Sequence, residues 1–239
     1  MIIAAALCPW PPLLVRELTG VDPVAAELRE ACAAAVGALL AAALDVVAVV
    51  GPAASTAEWP AGGRLNIAAF GGRAASSDGS TTQPAGSAAA PAAAVPPAVG
   101  LGAYLLDQAG YAGRRRLYSV TEDESPEDCD QLGKEISGTA PRTGLLVMGD
   151  GSARHSPRAP GYFDERAAAF DAEVERALRA PDLGALEAID PALARELKAT
   201  GRPAWQVLSG AARGTVLRAD VMYADDPFGV MYFVASFAP

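Results

Sequence analysis

The sequence predicts an α/β domain in which a mostly parallel central sheet carries helices on both faces and ends in a C-terminal hairpin. Three observations predict this class. The apolar runs at 2–7, 46–50 and 143–148 have the continuous character of strands that are buried on both faces. Segments between them repeat apolar residues every three or four positions, as amphipathic helices do. Strands that alternate with helices are typical of layered α/β folds.

In the first half of the chain, turn and cap residues divide these elements. The predicted strands are Ile2 to Leu7, Val46 to Val50 and Leu65 to Phe70. Prolines end the first strand and Gly51-Pro52 ends the second, since proline cannot donate to a ladder. Asp22-Pro23 provides a cap and a first helical proline for a helix that runs to about Ala43.

A stretch at 72–97 is rich in Ala, Ser, Gly, Pro and Thr. It cannot bury enough large apolar side chains to offset the entropy of ordering, so we interpret it as a mobile loop. The segments on either side of it have the character of parts of one sheet. We therefore expect a single domain over residues 1–239.

The second half continues the alternation. The predicted strands there are Leu117 to Val120, Thr143 to Met148, Val216 to Tyr223 and Val230 to Phe237, the last two forming the hairpin. Helices are expected at 100–109 and 126–137, and from Phe163 to Leu178. Shorter helices are expected to begin at Asp182, Asp190 and Arg202.

Composition excludes some classes of function. The net charge of −9 disfavours nucleic acid and anionic membranes, whose binding depends on Lys and Arg. No apolar run has the length of a membrane span. The three cysteines are odd in number and far apart in sequence, which disfavours a disulfide framework or a zinc site and fits a reducing cytoplasm.

In parallel sheets the ligand crevice lies outside the carboxyl ends of the strands. Here those ends carry three short motifs. They are Cys8-Pro9-Trp10-Pro11-Pro12, Val49-Val50-Gly51-Pro52 and Gly149-Asp150-Gly151-Ser152-Ala153-Arg154. In order and spacing they resemble the motifs of the class III extradiol ring-cleavage dioxygenase superfamily, which includes the protocatechuate 4,5-dioxygenase β-subunit and the Memo-like proteins. Pro160-Gly161-Tyr162-Phe163-Asp164 and Asp226-Pro227-Phe228-Gly229-Val230 add to the likeness, which is to a bacterial branch of that superfamily.

The resemblance implies a mononuclear Fe(II) site, but this chain lacks the histidines for it. The family has a ligand histidine at the position of Trp10, a second in the region of Gly51 to Ala53, and an acid–base histidine at Ala153. The chain's one histidine is His155. Two histidines and a carboxylate are needed for a site of this type, so we expect no bound metal.

Two hypotheses follow. In the first, the protein is a degenerate, metal-free extradiol dioxygenase-like protein. It binds either a small molecule, such as an aromatic compound, or a protein partner. The binding site is a crevice formed by Cys8, Trp10, Pro52, Ala53, Asp150, Ser152 and Ala153. In the second, it is an enzyme. That enzyme is either an extradiol dioxygenase or related Fe(II) oxidoreductase with relocated ligands (His155, Asp150, Cys8 and a glutamate), or a metal-independent enzyme that uses His155. The resemblance also allows a homodimer.

Individual residues have simpler interpretations too. His155 lies in a polar loop and is expected to be exposed to solvent, although its ordinary pKa suits proton transfer. Trp10 is either a core residue that fills the former metal cavity or a platform on which a ring stacks. Cys8 fits a small buried apolar residue better than a nucleophile.

Overall fold

A computed structural model describes residues 1–19, 25–70, 94–180 and 183–239. All seven strands of these residues belong to one sheet, in the order β3-β4-β2-β5-β1-β7-β6. The strands are β1 (Ile2–Cys8), β2 (Val46–Ala53), β3 (Ala57–Trp59), β4 (Arg115–Thr121), β5 (Thr143–Met148), β6 (Arg218–Asp225) and β7 (Tyr232–Ala238). The predicted α/β class is confirmed.

Helices connect most of these strands. They are α1 (Arg16–Thr19), α2 (Ala26–Leu40), α3 (Pro97–Gln108), α4 (Pro126–Ser137), α5 (Ala167–Leu178), α6 (Pro191–Glu196) and α7 (Arg202–Ala212). Two of them start with an ordinary cap: Ser125 accepts from Asp128 N in α4, and Asp190 accepts from Ala192 N in α6. Within the described ranges, no helix has both the length and the apolar character that a bilayer crossing requires.

The helices form two layers on the sheet, as the sequence predicted. Alternate residues of each strand point to opposite faces. On β5, Leu145 and Val147 pack in the cluster beneath α4, α5 and α7, whereas Leu146 and Met148 pack in the cluster beneath α2 and α3. The largest fully buried side chain, Trp205 of α7, lies in the first of these clusters.

The sheet is parallel at its centre and antiparallel at its edges. β2 pairs in parallel with β4 and β5, and β5 pairs in parallel with β1. The terminal hairpin joins through β7, which runs antiparallel to β1. The prediction of a hairpin that is half central is confirmed.

Several predicted elements differ from the structure in type or bounds, and three of them have a clear local reason. Ile67–Phe70 is a 3-10 helix rather than a strand, because Asn66 and the alanines that follow Ile67 favour the pleated backbone little. β2 runs through Pro52 to Ala53. Its pairing with β5 ends at Val50, so the proline falls where β2 has one neighbour left. α5 begins at Ala167 rather than Phe163, whose side chain is 60% exposed.

Some predictions concern residues outside the described ranges. The Asp22-Pro23 cap, the Asp182 helix start and most of the proposed loop at 72–97 belong to this group. At the end of that loop, Ala94 forms a bridge with Arg64 and α3 begins at Pro97.

Candidate functional site

The carboxyl ends of the three central parallel strands meet at one edge of the sheet. β5 lies between β1 and β2, so the segments that follow Cys8, Ala53 and Met148 are neighbours. The connections between strands lie on the α2/α3 face of the sheet in the part of the chain that precedes β4. In the part that follows β4 they lie on the opposite face. A sheet with such a change of side has its crevice where the change occurs, which here is at the end of β5.

Trp10 lies across this crevice. Its backbone N–H donates to Asp150 Oδ1 at 2.8 Å, and its indole Nε1 donates to Thr200 Oγ1 at 3.1 Å. The indole is partly buried and packs against the apolar cluster beneath α2 and α3. Trp10 therefore ties the end of β1 to the turn after β5 and to Thr200, the residue that precedes Gly201.

Asp150 lies in the turn after β5, one residue beyond Gly149, and is partly exposed. Burial raises the pKa of its carboxyl to about 7, and the bond from the Trp10 N–H opposes that rise. A carboxyl with such a pKa changes its charge near neutrality. It is placed to exchange a proton at the crevice in the same pH range as a histidine.

Two cysteine thiols meet below the crevice. Cys8 ends β1 and Cys32 lies in α2, and both side chains are fully buried. The pKa of Cys32 is raised well above its ordinary value, first by its hydrogen bond with Cys8 and then by burial. Both residues are free cysteines. Their separation in sequence concealed this contact, and burial makes Cys8 a packing residue.

His155 lies between two carboxylates. Its Nε2 is 2.6 Å from Asp171 Oδ2, and its Nδ1 is 2.5 Å from Asp226 Oδ2. The Asp171 side chain is 1% exposed and that of Asp226 is 41% exposed. The imidazole therefore has one buried partner and one partner that borders the solvent. At 12% exposure it is largely buried, which corrects the expectation of an exposed histidine.

Asp171 also holds Ser152. The Ser152 backbone N–H donates to Asp171 Oδ1 at 3.0 Å, and the Ser152 hydroxyl donates to Asp171 Oδ2. The same Oδ2 is hydrogen-bonded to His155 Nε2. A buried carboxylate needs such partners, because an unpaired buried charge is costly. This arrangement leaves the Ser152 hydroxyl as a donor to a carboxylate. Ser152 is also fully buried, so its hydroxyl positions the loop after β5 instead of attacking a substrate.

The two carboxylates determine the protonation of His155. A carboxylate accepts hydrogen bonds only, so a ring with an oxygen at each nitrogen is held as the doubly protonated imidazolium. Consistently, the pKa of His155 is raised, first by the bond with Asp171, with burial opposing the rise. We refer to Asp171, His155 and Asp226 as the carboxylate–histidine cluster.

His155 and Asp226 of the cluster form one wall of a cleft of about 480 Å³. Its lining consists of His155, Ser156, Arg158, Asp226, Pro227, Phe228 and Gly229. The turn between β6 and β7 lies against the loop that carries His155, and the His155 N–H donates to Gly229 O at 3.2 Å. Gly229 has φ +74°, and a Cβ there would lie 2.7 Å from Ala159 Cβ. Only glycine fits both the backbone and the close approach at this position.

The residues present do not fit the Fe(II) site that the resemblance implies. Trp10, Ala53 and Ala153 offer no nitrogen ligand. Each ring nitrogen of His155 faces a carboxylate instead of an open position. Across the described ranges, no group of three or more His, Cys, Asp or Glu side chains is arranged to hold a metal ion.

The structure brings four of the predicted site residues together in two pairs. Trp10 and Asp150 are joined at the crevice, and Ser152 and His155 are joined through Asp171. Cys8 packs below the crevice against Cys32. The other predicted residues have backbone roles: Pro52 and Ala53 pair with Val120 and Thr121 of β4, and the Ala153 N–H donates to Leu197 O.

Sequence reasoning missed Thr200 and Asp171 as site residues, and it named Asp226 only as part of a motif that adds to the resemblance. A signal for Asp171 existed. It stands four residues after Ala167 and three before Val174, so it shares the buried face of α5. A charged residue at such a position indicates a buried polar partner.

Comparisons with known proteins identify no family. No family model matches this chain, and no curated protein matches it. Among solved structures, the chain is similar to the crystal structure of an uncharacterized protein from Escherichia coli K12, with 10% identity and a TM-score of 0.49. That similarity covers 99% of this chain and 100% of the other.

Proposed function

We propose that this protein binds a small aromatic molecule bearing an acceptor oxygen, without a metal, at the cleft beside the carboxylate–histidine cluster. The resemblance of its strand-end motifs supports the proposal that it is a degenerate extradiol dioxygenase-like protein. The cleft belongs to the edge of the sheet where the crevice of such a fold lies. The observation that carries the proposal is the position of His155 between buried Asp171 and half-exposed Asp226.

The asymmetry of the two carboxylates supports ligand exchange. Asp171 is buried and has three donors, so it keeps Nε2 in place. Asp226 lies on a turn and is 41% exposed, so its carboxylate can leave Nδ1 for water at little cost. The freed Nδ1–H then donates to an oxygen of the ligand, as a charge-assisted hydrogen bond.

Two other residues of the cleft favour an aromatic ligand with an oxygen substituent. Arg158 is exposed at its wall and adds positive charge that attracts a phenolate or carboxylate oxygen. Phe228 is 39% exposed there and offers a ring face for stacking. Both are available without any change in the sheet.

The test is calorimetric titration of the metal-free protein with catechol and hydroxybenzoates. We expect binding without Fe(II). We expect His155→Gln and Phe228→Ala to weaken binding at least tenfold. Phe163→Ala is the matched control, because Phe163 is an exposed phenylalanine outside the cleft lining. This variant should bind the ligand with the affinity of the wild type. Stoichiometric iron bound at the crevice of purified protein would overturn the proposal.

A second candidate is a metal-independent enzyme in which His155 moves a proton at Nδ1. The orientation of the ring by buried Asp171 favours it, because a carboxylate that fixes one nitrogen leaves the other for acid–base work. If His155→Ala leaves turnover of an identified substrate unchanged, this candidate is removed. Relocated iron ligands are a weaker alternative, because His155, Asp150 and Cys8 do not form a three-donor group in the described residues.

We also propose a cytoplasmic location. All three cysteines are free and buried, which suits a reducing compartment. A homodimer remains part of the proposal, and sedimentation of the purified protein tests it.

A further inference from the structure

The sheet ends on one side in a long strand. β6 has eight residues and pairs with β7 along one of its edges. Among the described residues, no strand pairs with its other edge. At the opposite end of the sheet, β3 has only three residues. A short edge strand offers little to another chain, whereas a long one presents a row of backbone N–H and C=O groups that can pair with a further strand. The sheet can therefore be extended at β6.

An extra residue in β6 decides which side chains share a face. The register with β7 shifts after Val221 and leaves Met222 without a partner in the ladder. Val221 and Ala224 consequently pack against the same apolar cluster, beneath α4, α5 and α7, although they are three residues apart. Arg218 and Asp225 are seven residues apart, so in a regular strand they would point to opposite faces. The bulge places them on the same face.

The strand is complementary to itself around Val221. Counted along the ladder with β7, Arg218 and Asp225 each lie three pairs away from Val221, in opposite directions. If two copies of β6 pair in antiparallel fashion with Val221 opposite its own equivalent, Arg218 of each copy lies opposite Asp225 of the other. Both side chains are exposed. Opposite charges that face each other across two strands stabilise the pairing, and two-fold symmetry makes this contact twice.

The other pairs in this register are compatible with close approach. They are Ala219 with Ala224 and Asp220 with Tyr223. No two like charges lie directly opposite each other, and the small alanines leave room between the strands.

From this self-complementarity we propose that two copies of the chain associate through β6, in an antiparallel pairing with its two-fold axis at Val221. The two seven-stranded sheets then form one continuous sheet. The inference rests on the homodimer of the proposed function and names its interface. Val216 is 73% exposed and lies two residues before Arg218, so the other copy's segment after Asp225 would cover it. Removal of this apolar side chain from water favours the association.

Sedimentation equilibrium of the full chain measures the association. We expect a dimer at micromolar concentration. Arg218→Asp should raise its dissociation constant at least tenfold, because both symmetric contacts then oppose like charges. Arg114→Asp is the matched control, since Arg114 is an exposed arginine just before β4, and it should leave the constant unchanged. Arg218→Asp combined with Asp225→Arg restores opposite charges at both contacts and should restore the dimer.

The possible failures are distinguishable. A wild-type chain that is monomeric overturns this inference together with the homodimer. A dimer that Arg218→Asp does not weaken, or that the double substitution does not restore, overturns the β6 interface alone. Ligand binding at the cleft beside His155 is measured separately and depends on neither result.

Disulfide crosslinking tests the position of the axis. Position 221 of one copy lies opposite position 221 of the other, so Val221→Cys should give a covalent dimer when oxidised glutathione is added. The three native cysteines are buried and should not compete. Val216→Cys is the control, because Val216 is more exposed than the partly buried Val221 but lies far from the axis. Equal crosslinking of the two variants, or none at position 221, contradicts the proposal.

Discussion

Asp171 Oδ2 lies 2.6 Å from His155 Nε2 and also accepts the hydroxyl proton of Ser152. One buried carboxylate of α5 therefore fixes two polar side chains of the loop after β5, Ser152 and His155. The opposite nitrogen of the ring faces Asp226, which is 41% exposed. The two contacts of one imidazole should thus differ in their contribution to stability.

Removal of the Asp171 charge should be costly. In Asp171→Asn the charged His155 ring loses its buried counterion, and we expect the free energy of unfolding to fall by about 3 kcal/mol. Asp226→Asn is the control, because an exposed ion pair contributes less than about 1 kcal/mol. Urea denaturation at pH 7 measures both. Equal losses in the two variants would contradict the buried role of Asp171.

The single histidine allows a direct measurement of the native pKa. The ring proton resonance of His155 should titrate with a pKa above the ordinary 6.5, because Asp171 stabilises the imidazolium. In Asp171→Asn this pKa should move down. A wild-type pKa at or below 6.5 by NMR titration would show that burial dominates over the two carboxylates.

The same shift predicts how stability depends on pH. The folded pKa of His155 lies above its unfolded value, so the native state binds the proton more tightly. The stability that it contributes is fully present below pH 6.5 and is lost as pH rises through the folded pKa. His155→Gln should lack this loss. Urea midpoints between pH 6 and 9 test the difference between the two proteins.

The contribution of Asp150 to stability should change over a separate range of pH. Its folded pKa of about 7 exceeds its unfolded value of 3.8, so its contribution to stability is lost as pH rises from about 4 to about 7. With about 1.4 kcal/mol per pKa unit the loss is at most about 4 kcal/mol, and partial exposure of the carboxyl reduces it.

The variant Asp150→Asn isolates this effect. An amide oxygen still accepts from the Trp10 N–H, but it carries no charge at any pH. At pH 8 the variant should be more stable than the wild type, and at pH 4 the two should be nearly equal. The difference between their unfolding free energies across this range is the measurement, and a constant difference would refute the prediction.

Close packing at the start of α7 gives a further prediction. A Cβ on Gly201 would lie 2.3 Å from Trp205 Cζ2, inside the buried core. Gly201→Ala should therefore destabilise the protein by about 2–3 kcal/mol through overpacking. Gly37→Ala in α2 is the control, since a Cβ there meets nothing within 4 Å. It should stabilise by about 0.5–1 kcal/mol in thermal or urea unfolding, because alanine is the better helix residue.

Local patterns predicted the elements better than the site. Thr143–Met148 was predicted and observed with the same bounds, because a buried parallel strand has a continuous apolar sequence. The start of α5 was missed because residues 153–164 close a loop of their own. There the Arg154 Nε donates to Gly161 O at 2.7 Å, and the Asp164 N–H donates to Arg154 O at 3.0 Å.

The site depends on contacts between distant parts of the chain. Ser152 and His155 could be named from the motif after β5, and Asp150 from the same turn. Their contacts with Asp171 and Asp226 could not be predicted, because Asp171 belongs to a helix and Asp226 to the hairpin turn. Thr200 meets Trp10 across 190 residues of sequence, a contact that only the folded sheet creates.

The pairing of β1 with β7 has a consequence for biosynthesis. β1 is made long before β7, its outer neighbour in the sheet. Until β7 follows, β1 presents bare amide and carbonyl groups along an apolar ribbon, a state that favours association with other nascent chains. Termination of translation before β7 should therefore yield aggregates instead of a shortened folded product.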